Sequence, residues 1–341
     1  MALLDRRRRY RKGAAQPVAV PDYLKLTAKT AGTFTLTIPA QVNTTYITSV
    51  SYSVDGVNWV KTNNTSNDVT ITTPTIAAGG CVYWKGLGSS FARNGSSGNY
   101  STFSSTGTFD VSGNIMSLLY GDDFEGKISL SSFYTFCYLF YNSKVVQTDE
   151  LSLPATTLIT ACYMGMFSGC TSLTTPPSLP ATTLQESCYD SMFNGCTSLT
   201  SIPLLPATTL PTYCYANMFA QCASLTGMVT IPATTLNNNS CRKMFAQCTN
   251  LNGAILYAQT LGNYSLYNTF YKCSNFTYLD IRYVTTVIDA TNYSKQTYIK
   301  YMLEDVNSAG RINASRVWRM DLLRGNISYG GPPSGWTIYT Y

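Results

Sequence analysis

One unit of an internal repeat occupies residues 178–200 and reads SLPATTLQESCYDSMFNGCTSLT. The motif Pro-Ala-Thr-Thr-Leu begins at Pro154, Pro180, Pro206 and Pro232, so the unit recurs every 26 residues. A fixed period of about 20 to 50 residues is typical of proteins in which each unit packs only on its neighbours. The sequence therefore predicts a solenoid.

The spacing of apolar residues within the unit predicts a short helix. Cys188 and Met192 are four residues apart, and so are Tyr189 and Phe193. Side chains at this spacing share one face of a helix, and Gly195 suits the left-handed residue that ends it. The prolines of the following TSLTSIPLLP segment oppose a continuous central strand. Such a unit cannot bury its apolar side alone, so we expect successive units to stack.

The chain divides into four segments by composition. They are a basic arm at 1–21, predicted strands at 22–121, the repeats at 122–282 and a closing segment at 283–341. The second segment has short runs of Thr, Val, Ile and aromatic residues between Gly, Asn and Pro clusters, which predicts a β-sandwich. The pair Asp55-Gly56 lies between two such runs and predicts a hairpin. The expected fold class is mixed α+β, with an N-terminal β-sandwich followed by a repeat solenoid.

Positive charge is concentrated at the N-terminus. The 341 residues carry a formal net charge of +6, most of which lies in residues 1–12, and the rest of the chain is nearly neutral. A nucleic-acid-binding protein would carry basic side chains along a face of its folded part. We therefore expect no nucleic acid to bind the folded part. The arm is expected to bind an acidic protein partner through charge-assisted hydrogen bonds, and the alternative is a solvated tail.

The cysteines and the lack of histidine argue against a catalytic, cofactor or metal site. The chain has 11 cysteines and no histidine, which excludes Ser-His-Asp and Cys-His triads within it. No paired C-x-x-C spacing suggests zinc. One set of cysteines recurs in every unit: Cys170, Cys196, Cys222, Cys248 and Cys273. A second set gives way to Ser240 and Ser265, so we expect small buried hydrophobic side chains. None of the 17 acidic residues stands at a recurring or motif-like position, so we expect no enzyme activity, and the alternative is a paired-carboxylate glycosidase.

Two other groups of side chains are candidates for contacts. Three tyrosines recur at one position of the unit and are candidate glycan contacts: Tyr163, Tyr189 and Tyr215. An exposed row of these rings could stack on sugars, and the alternative is that they cover the edge of the helical layer. The acidic cluster Asp122, Asp123 and Glu125 fits a solvated turn or a cap on the first coil, with a cation site as the alternative.

The N-terminal region does not resemble a secretory signal. Arg9 is followed by Tyr-Arg-Lys-Gly-Ala-Ala-Gln-Pro, whereas a signal would continue with an apolar run. No stretch approaches the roughly 18 apolar residues that cross a bilayer. We therefore expect a protein that folds in a cytoplasm with reduced thiols and does not insert into a membrane.

Two motifs of the unit indicate a family. They are Cys-Tyr-x-x-Met-Phe-x-Gly-Cys-Thr-Ser-Leu and Leu-Pro-Ala-Thr-Thr-Leu, and they resemble the BspA-like class of leucine-rich repeats. This class is common in Bacteroidota and in virion proteins of the gut phages and prophages, including crAss-like phages, that infect them. The segment TFSSTGTFDVSGNIMSLLYGDDF (102–124) and the ending PPSGWTIYTY are also similar to such phage proteins. The resemblance spans roughly residues 23–341 and identifies architecture better than it identifies a ligand.

The resemblance implies a non-enzymatic virion structural protein, such as a head fibre, capsid decoration or tail appendage, assembled in the bacterial cytoplasm. Its arm would dock on capsid or tail proteins, and its repeats would face host-surface polysaccharide. The expected anchoring residues are Leu3, Leu4, Arg6, Arg7, Arg8, Arg9, Tyr10, Arg11 and Lys12. A homo-oligomer is expected, a trimer before a dimer. The alternative is a bacterial cell-surface adhesin, which would need an export signal.

Overall fold

The fold is mostly β. The computed structural model describes residues 20–43, 45–62, 67–281, 283–285, 297, 299–314 and 331–341. Within these ranges the helices are α1 (Ala40–Asn43) and α2 (Ser117–Tyr120), followed by a 3₁₀ turn at Gly121–Asp123. The expected helical layer is therefore not present in this part of the chain, and the mixed α+β class is not supported. The predicted anchoring residues of the arm, within 1–19, lie outside the described residues.

Eight strands precede the repeats and form two sheets. They are β1 (Leu24–Ala28), β2 (Phe34–Ile38), β3 (Ile47–Ser53), β4 (Val60–Thr62), β5 (Val69–Thr72), β6 (Cys81–Gly88), β7 (Thr102–Ser105) and β8 (Phe109–Asn114). The order β4-β3-β6-β1-β8 describes one sheet and β5-β2-β7 the other, with antiparallel pairing throughout. Buried Leu24 and Leu26 alternate with half-buried neighbours in β1, so that strand has one apolar face. The finer expectation of a sandwich stays a prediction.

The expected hairpin at Asp55-Gly56 is confirmed. It joins β3 to β4, which pair antiparallel. Gly56 has a φ of 74°, which glycine adopts without steric cost. The Asp55 carboxylate accepts hydrogen bonds from the N–H groups of Val57 and Asn58 at 2.9 and 2.7 Å, so the side chain closes the turn.

The repeats wind into a β-solenoid of about four regular turns, with further coils on both sides. Its strands are β9 (Leu151–Ser152), β10 (Thr209–Leu210), β11 (Gly227–Ile231), β12 (Thr235–Leu236), β13 (Leu251–Leu256), β14 (Thr260–Leu261), β15 (Tyr278–Ile281), β16 (Ala309–Ala314) and β17 (Gly335–Thr340). Parallel pairing gives one sheet of order β10-β12-β14 and another of order β11-β13-β15-β16-β17. The first contains the Thr-Leu pairs of the motifs that begin at Pro206 and Pro232, followed by Thr260 and Leu261 of the next coil.

The longer sheet begins only where the prolines stop. Residues 174–180 and 200–206 contain Pro176, Pro177 and Pro203 and form no strand. The equivalent residues of the next coil form β11, which has no proline. Because proline cannot donate to a ladder, the prediction that prolines oppose a strand in the earlier coils is confirmed.

The predicted helix in each unit is wrong, and a series of tight turns takes its place. Ser187, Ser191 and Gly195 have φ values of 55°, 57° and 75°, so every fourth residue is left-handed. An α-helix contains no such residues. Positive φ at the third of four residues is the requirement of a type II turn. The left-handed conformation expected at Gly195 is confirmed, although it closes a turn and not a helix.

Successive backbone N–H groups in these turns alternate between a hydrogen bond within their own coil and a hydrogen bond to the next coil. The Cys188 N–H donates to the Gln185 carbonyl within its own coil, and the Tyr189 N–H donates to the Cys214 carbonyl of the next coil. The same alternation continues to the Cys196 N–H, which donates to Phe193. We call the side of the solenoid formed by these turns, residues 187–196 and their equivalents in the other coils, the turn face. Its hydrogen bonds fix the register between neighbouring coils.

A column of stacked phenylalanines fills the core behind the turn face. It consists of Phe103, Phe140, Phe167, Phe193, Phe219, Phe245 and Phe270, with neighbouring ring centroids 5.3–5.9 Å apart. Phe193 is fully buried, so the prediction that this residue type lies in the core is confirmed. The column also includes Phe140 and Phe270, which lie in the coils on either side of the four regular ones.

The recurring cysteines bind backbone carbonyls of the preceding coil. The Cys196 thiol donates to the Phe167 carbonyl at 3.1 Å, and the Cys222 thiol donates to Phe193 at 3.1 Å. All eleven cysteines are free thiols, and all except half-buried Cys81 are buried. Burial raises the pKa of Cys188 to about 12, which disfavours the reactive thiolate. The prediction of small buried side chains is confirmed.

The segment of residues 22–121 packs directly on the first coil. Strand β8 pairs parallel with β9, with Gly113 beside Leu151. Phe103 of β7 stacks on Phe140 of the first coil with an interplanar angle of 17°. The strands before the repeats therefore cover an end of the solenoid core.

Candidate interaction surface

The three recurring tyrosines lie in the core, and the expectation that they contact glycans is wrong. Tyr163, Tyr189 and Tyr215 are only 1%, 2% and 1% exposed. Burial raises the pKa of all three well above the usual value for tyrosine. Their rings pack on one another at 5.8 and 6.1 Å. A sugar cannot reach them, because two consecutive residues of each turn point inward, here Cys188 and Tyr189.

The outward positions of the turn face are the two residues that follow each inward pair. In the coil of residues 187–196 they are Asp190 and Ser191, then Asn194 and Gly195, all half-buried. The ladder of hydrogen bonds aligns these positions with those of the next coils. One resulting column runs Ser191, Asn217, Lys243, Asn268, Tyr301, and its neighbour runs Asp190, Ala216, Arg242, Tyr267, Lys300.

The residues in these columns change along the solenoid. In the coils of 161–222 the outward side chains are small or uncharged, apart from Glu186 and Asp190. From the coil of 239–248 onward several of these positions hold cationic or aromatic side chains. We name this region the tyrosine–cation surface and define it by Arg242, Lys243, Tyr267, Lys272, Lys300 and Tyr301. It places residues from three successive coils side by side.

Contacts between cations and rings order the tyrosine–cation surface. The Arg242 guanidinium carbon lies 5.2 Å from the Tyr267 ring centroid, and Lys300 Nζ lies 5.1 Å from that of Tyr301. Tyr267 and Tyr301 meet edge to face at 5.7 Å, and Tyr264, which is 39% exposed, meets Tyr267 at 5.6 Å. Cation–π contacts at this distance are attractive and hold the rings in place.

Both signs of charge are present near this surface. Lys272 Nζ lies 5.1 Å from the Tyr271 ring, and a hydrogen bond with Tyr271 raises the pKa of Lys272. Glu304 and Asp305 lie in the next coil beside Lys272. Burial raises the pKa of Glu304, and the Asp305 carboxylate adds to the shift. The four cations of the surface exceed these two carboxylates, so it is positive overall.

Asp190 is a half-buried acidic group in the part of the turn face that precedes the tyrosine–cation surface. Its carboxylate accepts hydrogen bonds from the Ser191 hydroxyl at 2.7 Å and the Asn217 amide at 3.5 Å. Burial raises the pKa of Asp190, while these two hydrogen bonds oppose the rise. The group is thus satisfied within the turn face.

Asp122, of the acidic cluster that precedes the first coil, forms an ion pair with Lys85. Asp122 accepts hydrogen bonds from Lys85 Nζ at 2.7 Å and from the Tyr23 hydroxyl at 2.5 Å. The Lys85 hydrogen bond and then that of Tyr23 lower the pKa of Asp122. Lys85 Nζ also lies 4.1 Å from the Trp59 ring centroid. These contacts tie the 3₁₀ turn to the first sheet, as expected for a turn or cap.

Sequence reasoning did not find the tyrosine–cation surface. Arg242, Tyr267 and Lys300 are 25 and 33 residues apart in the chain, and they become neighbours only through the coil register. The signal in the sequence was the change from small residues to cations and tyrosines at equivalent repeat positions. Recognising this signal requires knowing which positions of each turn point outward.

Comparison with known proteins gives no relatives. No protein-family model, curated protein or solved structure matches the chain. The resemblance to BspA-like repeats therefore stays a prediction. In the described ranges, neither helix has the length and apolar composition of a membrane span, and no cluster of three or more potential metal-ligating side chains occurs.

Proposed function

We propose that this protein is a non-enzymatic structural component of a bacteriophage virion, a head fibre, capsid decoration or tail appendage. Its basic arm attaches it to capsid or tail proteins, and its solenoid presents a contact surface to the host. The repeat motifs and the ending PPSGWTIYTY, which resemble phage proteins, support the phage assignment. The cluster of six basic residues within residues 6–12 supports the anchoring role.

The separation between Val20, which follows the basic cluster, and the tyrosine–cation surface is the observation that most favours a display role. Val20, near the end of the arm, packs over Gly56 in the turn between β3 and β4 of the first sheet. That sheet lies at the end of the solenoid that β8 covers. The tyrosine–cation surface begins four coils beyond the first one, about 19 Å away at about 4.8 Å per coil. Attachment at one end leaves the surface at the other end free for a partner.

The composition of the arm suits an acidic groove on a particle. Arginine forms bidentate hydrogen bonds with carboxylates, and each charge-assisted contact contributes roughly 0.5 to 3 kcal/mol. Leu3, Leu4 and Tyr10 would add apolar contacts. Several copies on a particle, for which a trimer is the proposed assembly, would raise the avidity of weak host contacts.

The proposal is tested by deleting residues 1–13 from the full chain and measuring incorporation into particles. We expect a folded, soluble protein that is lost from purified virions, because the anchor has been removed. Changing Arg6, Arg7, Arg8 and Arg9 together to Ala should strongly reduce its copy number per particle. Quantitative gel densitometry of purified particles measures both.

A matched control changes four basic residues outside the arm to Gln: Lys61, Arg93, Lys127 and Lys144. This variant loses the same charge as the arm variant and should be incorporated normally. Normal amounts of the deleted protein on particles would place the anchor elsewhere in the chain. If the wild-type protein is found on the bacterial surface and not on particles, the virion assignment is wrong.

A further inference from the structure

We propose that the tyrosine–cation surface binds a carboxylated polysaccharide, a polymer that bears uronic-acid or similar acidic sugars. The proposal deepens the host-contact role and rests on it. It also replaces the expectation of glycan contact at Tyr163, Tyr189 and Tyr215, since those tyrosines are buried and the half-buried Tyr267 and Tyr301 lie among cations.

The fold does not require these residues. Positions equivalent to Lys243 hold Ser191 and Asn217 in earlier coils, and a position equivalent to Arg242 holds Ala216. Those coils form the same turns and the same hydrogen bonds with the small side chains. The large cationic and aromatic groups of the later coils are thus additions to a face that folds without them, which indicates a role in contact with a partner.

The chemistry of the surface fits a sugar that carries a carboxylate. The flat faces of tyrosine rings pack well against the C–H faces of sugar rings, and the hydroxyl can hydrogen-bond to sugar hydroxyls. The Arg242 guanidinium next to Tyr267 can hold a carboxylate with two parallel hydrogen bonds. Aromatic and cationic groups are adjacent here, so one sugar ring can use both.

The spacing favours a polymer over a single acidic sugar. Arg242 and Lys300 occupy the same column two coils apart, which is about 10 Å. A chain with carboxylates on several sugars can engage them together, with Tyr267 between them as the stacking position.

The charge balance favours an acidic polysaccharide over a nucleic acid. Glu304 and Asp305 border Lys272 and would repel a closely spaced row of phosphates. Double-stranded DNA carries one charge about every 1.7 Å of its helix axis, and its binding depends on many cations. Four cations with two nearby carboxylates suit a polymer of lower charge density. Because the cations are exposed or half-buried at the surface, binding should weaken as salt rises.

The test compares polygalacturonate with its fully methyl-esterified form, which has the same backbone without the charge. The protein is the full chain with Arg6, Arg7, Arg8 and Arg9 changed to Ala, so that the arm does not bind the polyanion. Biolayer interferometry at low salt should show affinity at least about tenfold higher for the acid form. Raising the salt to about 0.5 M should remove most of this preference.

Variants locate the binding site. The change R242Q/K243Q/K272Q/K300Q should lower the affinity for polygalacturonate at least about tenfold, whereas the matched control K61Q/R93Q/K127Q/K144Q should leave it within about twofold. The single change Tyr267→Leu should weaken binding of both forms of the polymer, because it removes the stacking ring. Thermal unfolding verifies that each variant is folded. If the fourfold variant does not fold, the two single variants R242Q and Y267L are each compared with the unchanged protein.

Three results would overturn the proposal. They are equal affinity for the acid and ester forms, an equal loss in the matched control, and tighter binding of a thymidine oligonucleotide that depends on the same four cations, which would indicate a nucleic-acid surface. None of them bears on particle attachment, which the arm deletion tests separately. Incorporation of the fourfold variant into virions should be normal.

Discussion

At the scale of single residues, the phenylalanine column explains much of the regularity of the repeat. Phe193 stacks on Phe167 at 5.8 Å and on Phe219 at 5.4 Å, with interplanar angles of 4° and 8°. Each ring therefore packs against the same chemical group in both neighbouring coils. The thiol of Cys222 meets the Phe193 carbonyl, so the residues around this ring are also fixed. A change at one ring affects three coils.

We expect Phe193→Ala to lower the free energy of unfolding by about 3 to 5 kcal/mol, because it removes a fully buried ring and leaves a cavity between two others. Urea denaturation followed by circular dichroism measures the change. The matched control is Phe133→Ala, since Phe133 is 64% exposed and should cost less than about 0.5 kcal/mol. Similar values for the two variants would contradict the burial of the column.

At the scale of elements, a period of four residues explains why the sequence indicated the residues that share a buried side although the predicted helix is wrong. Residues at i, i+4 and i+8 point the same way in the turns of the turn face, as Cys188, Met192 and Cys196 show by their burial. In a helix of 3.6 residues per turn they would drift by only about 40° at each step. Over so short a segment the two periods give the same pattern of apolar residues. The deciding feature is the left-handed residue at every fourth position.

The glycines of the turn face provide an element-scale prediction. Gly165 has a φ of 59°, and a Cβ there would overlap the Tyr138 ring, whereas Gly195 has a φ of 75° and its Cβ would have its nearest neighbour at 3.7 Å. Both changes to Ala should cost roughly 1 to 2 kcal/mol for the left-handed backbone. Gly165→Ala should cost about 1 to 3 kcal/mol more for overpacking. Chemical denaturation of the two variants measures the difference.

Removing the ring separates the two causes. In the double variant with Tyr138→Ala, the Gly165→Ala change should return to about the cost of Gly195→Ala, because only the backbone term is left. An unchanged cost in the double variant would mean that the Tyr138 ring does not restrict this position.

At the scale of the whole molecule, the segment before the repeats acts as a cap. Its Phe91 and Phe103 stack on Phe136 and Phe140 of the first coil at 6.2 and 5.3 Å. The Val111 N–H donates to the Gln147 carbonyl, so β8 pairs with the coil as a further coil would. A solenoid without its terminal cap exposes a core layer to water.

We therefore expect a chain that lacks residues 1–121 to aggregate or to unfold far more easily than the full chain, because Phe136 and Phe140 would become exposed. Size-exclusion chromatography and thermal unfolding measure this. The deletion of residues 1–13 is the control, since it leaves the cap intact. A monodisperse, cooperatively folding 122–341 fragment would show that the repeats need no cap.

The sequence by itself determined the repeat, its period, the burial of Phe193 and the cysteines, and the effect of the prolines. Each of these follows from residue types that have one favourable environment, or from a backbone group that proline lacks. Only the tertiary structure decided that Tyr189 points inward and that Arg242, Tyr267 and Lys300 form one surface. The physical reason is that the direction of each side chain depends on which residues take the left-handed conformation, and many residue types take it here. Residues far apart in the chain become neighbours only through hydrogen bonds between coils.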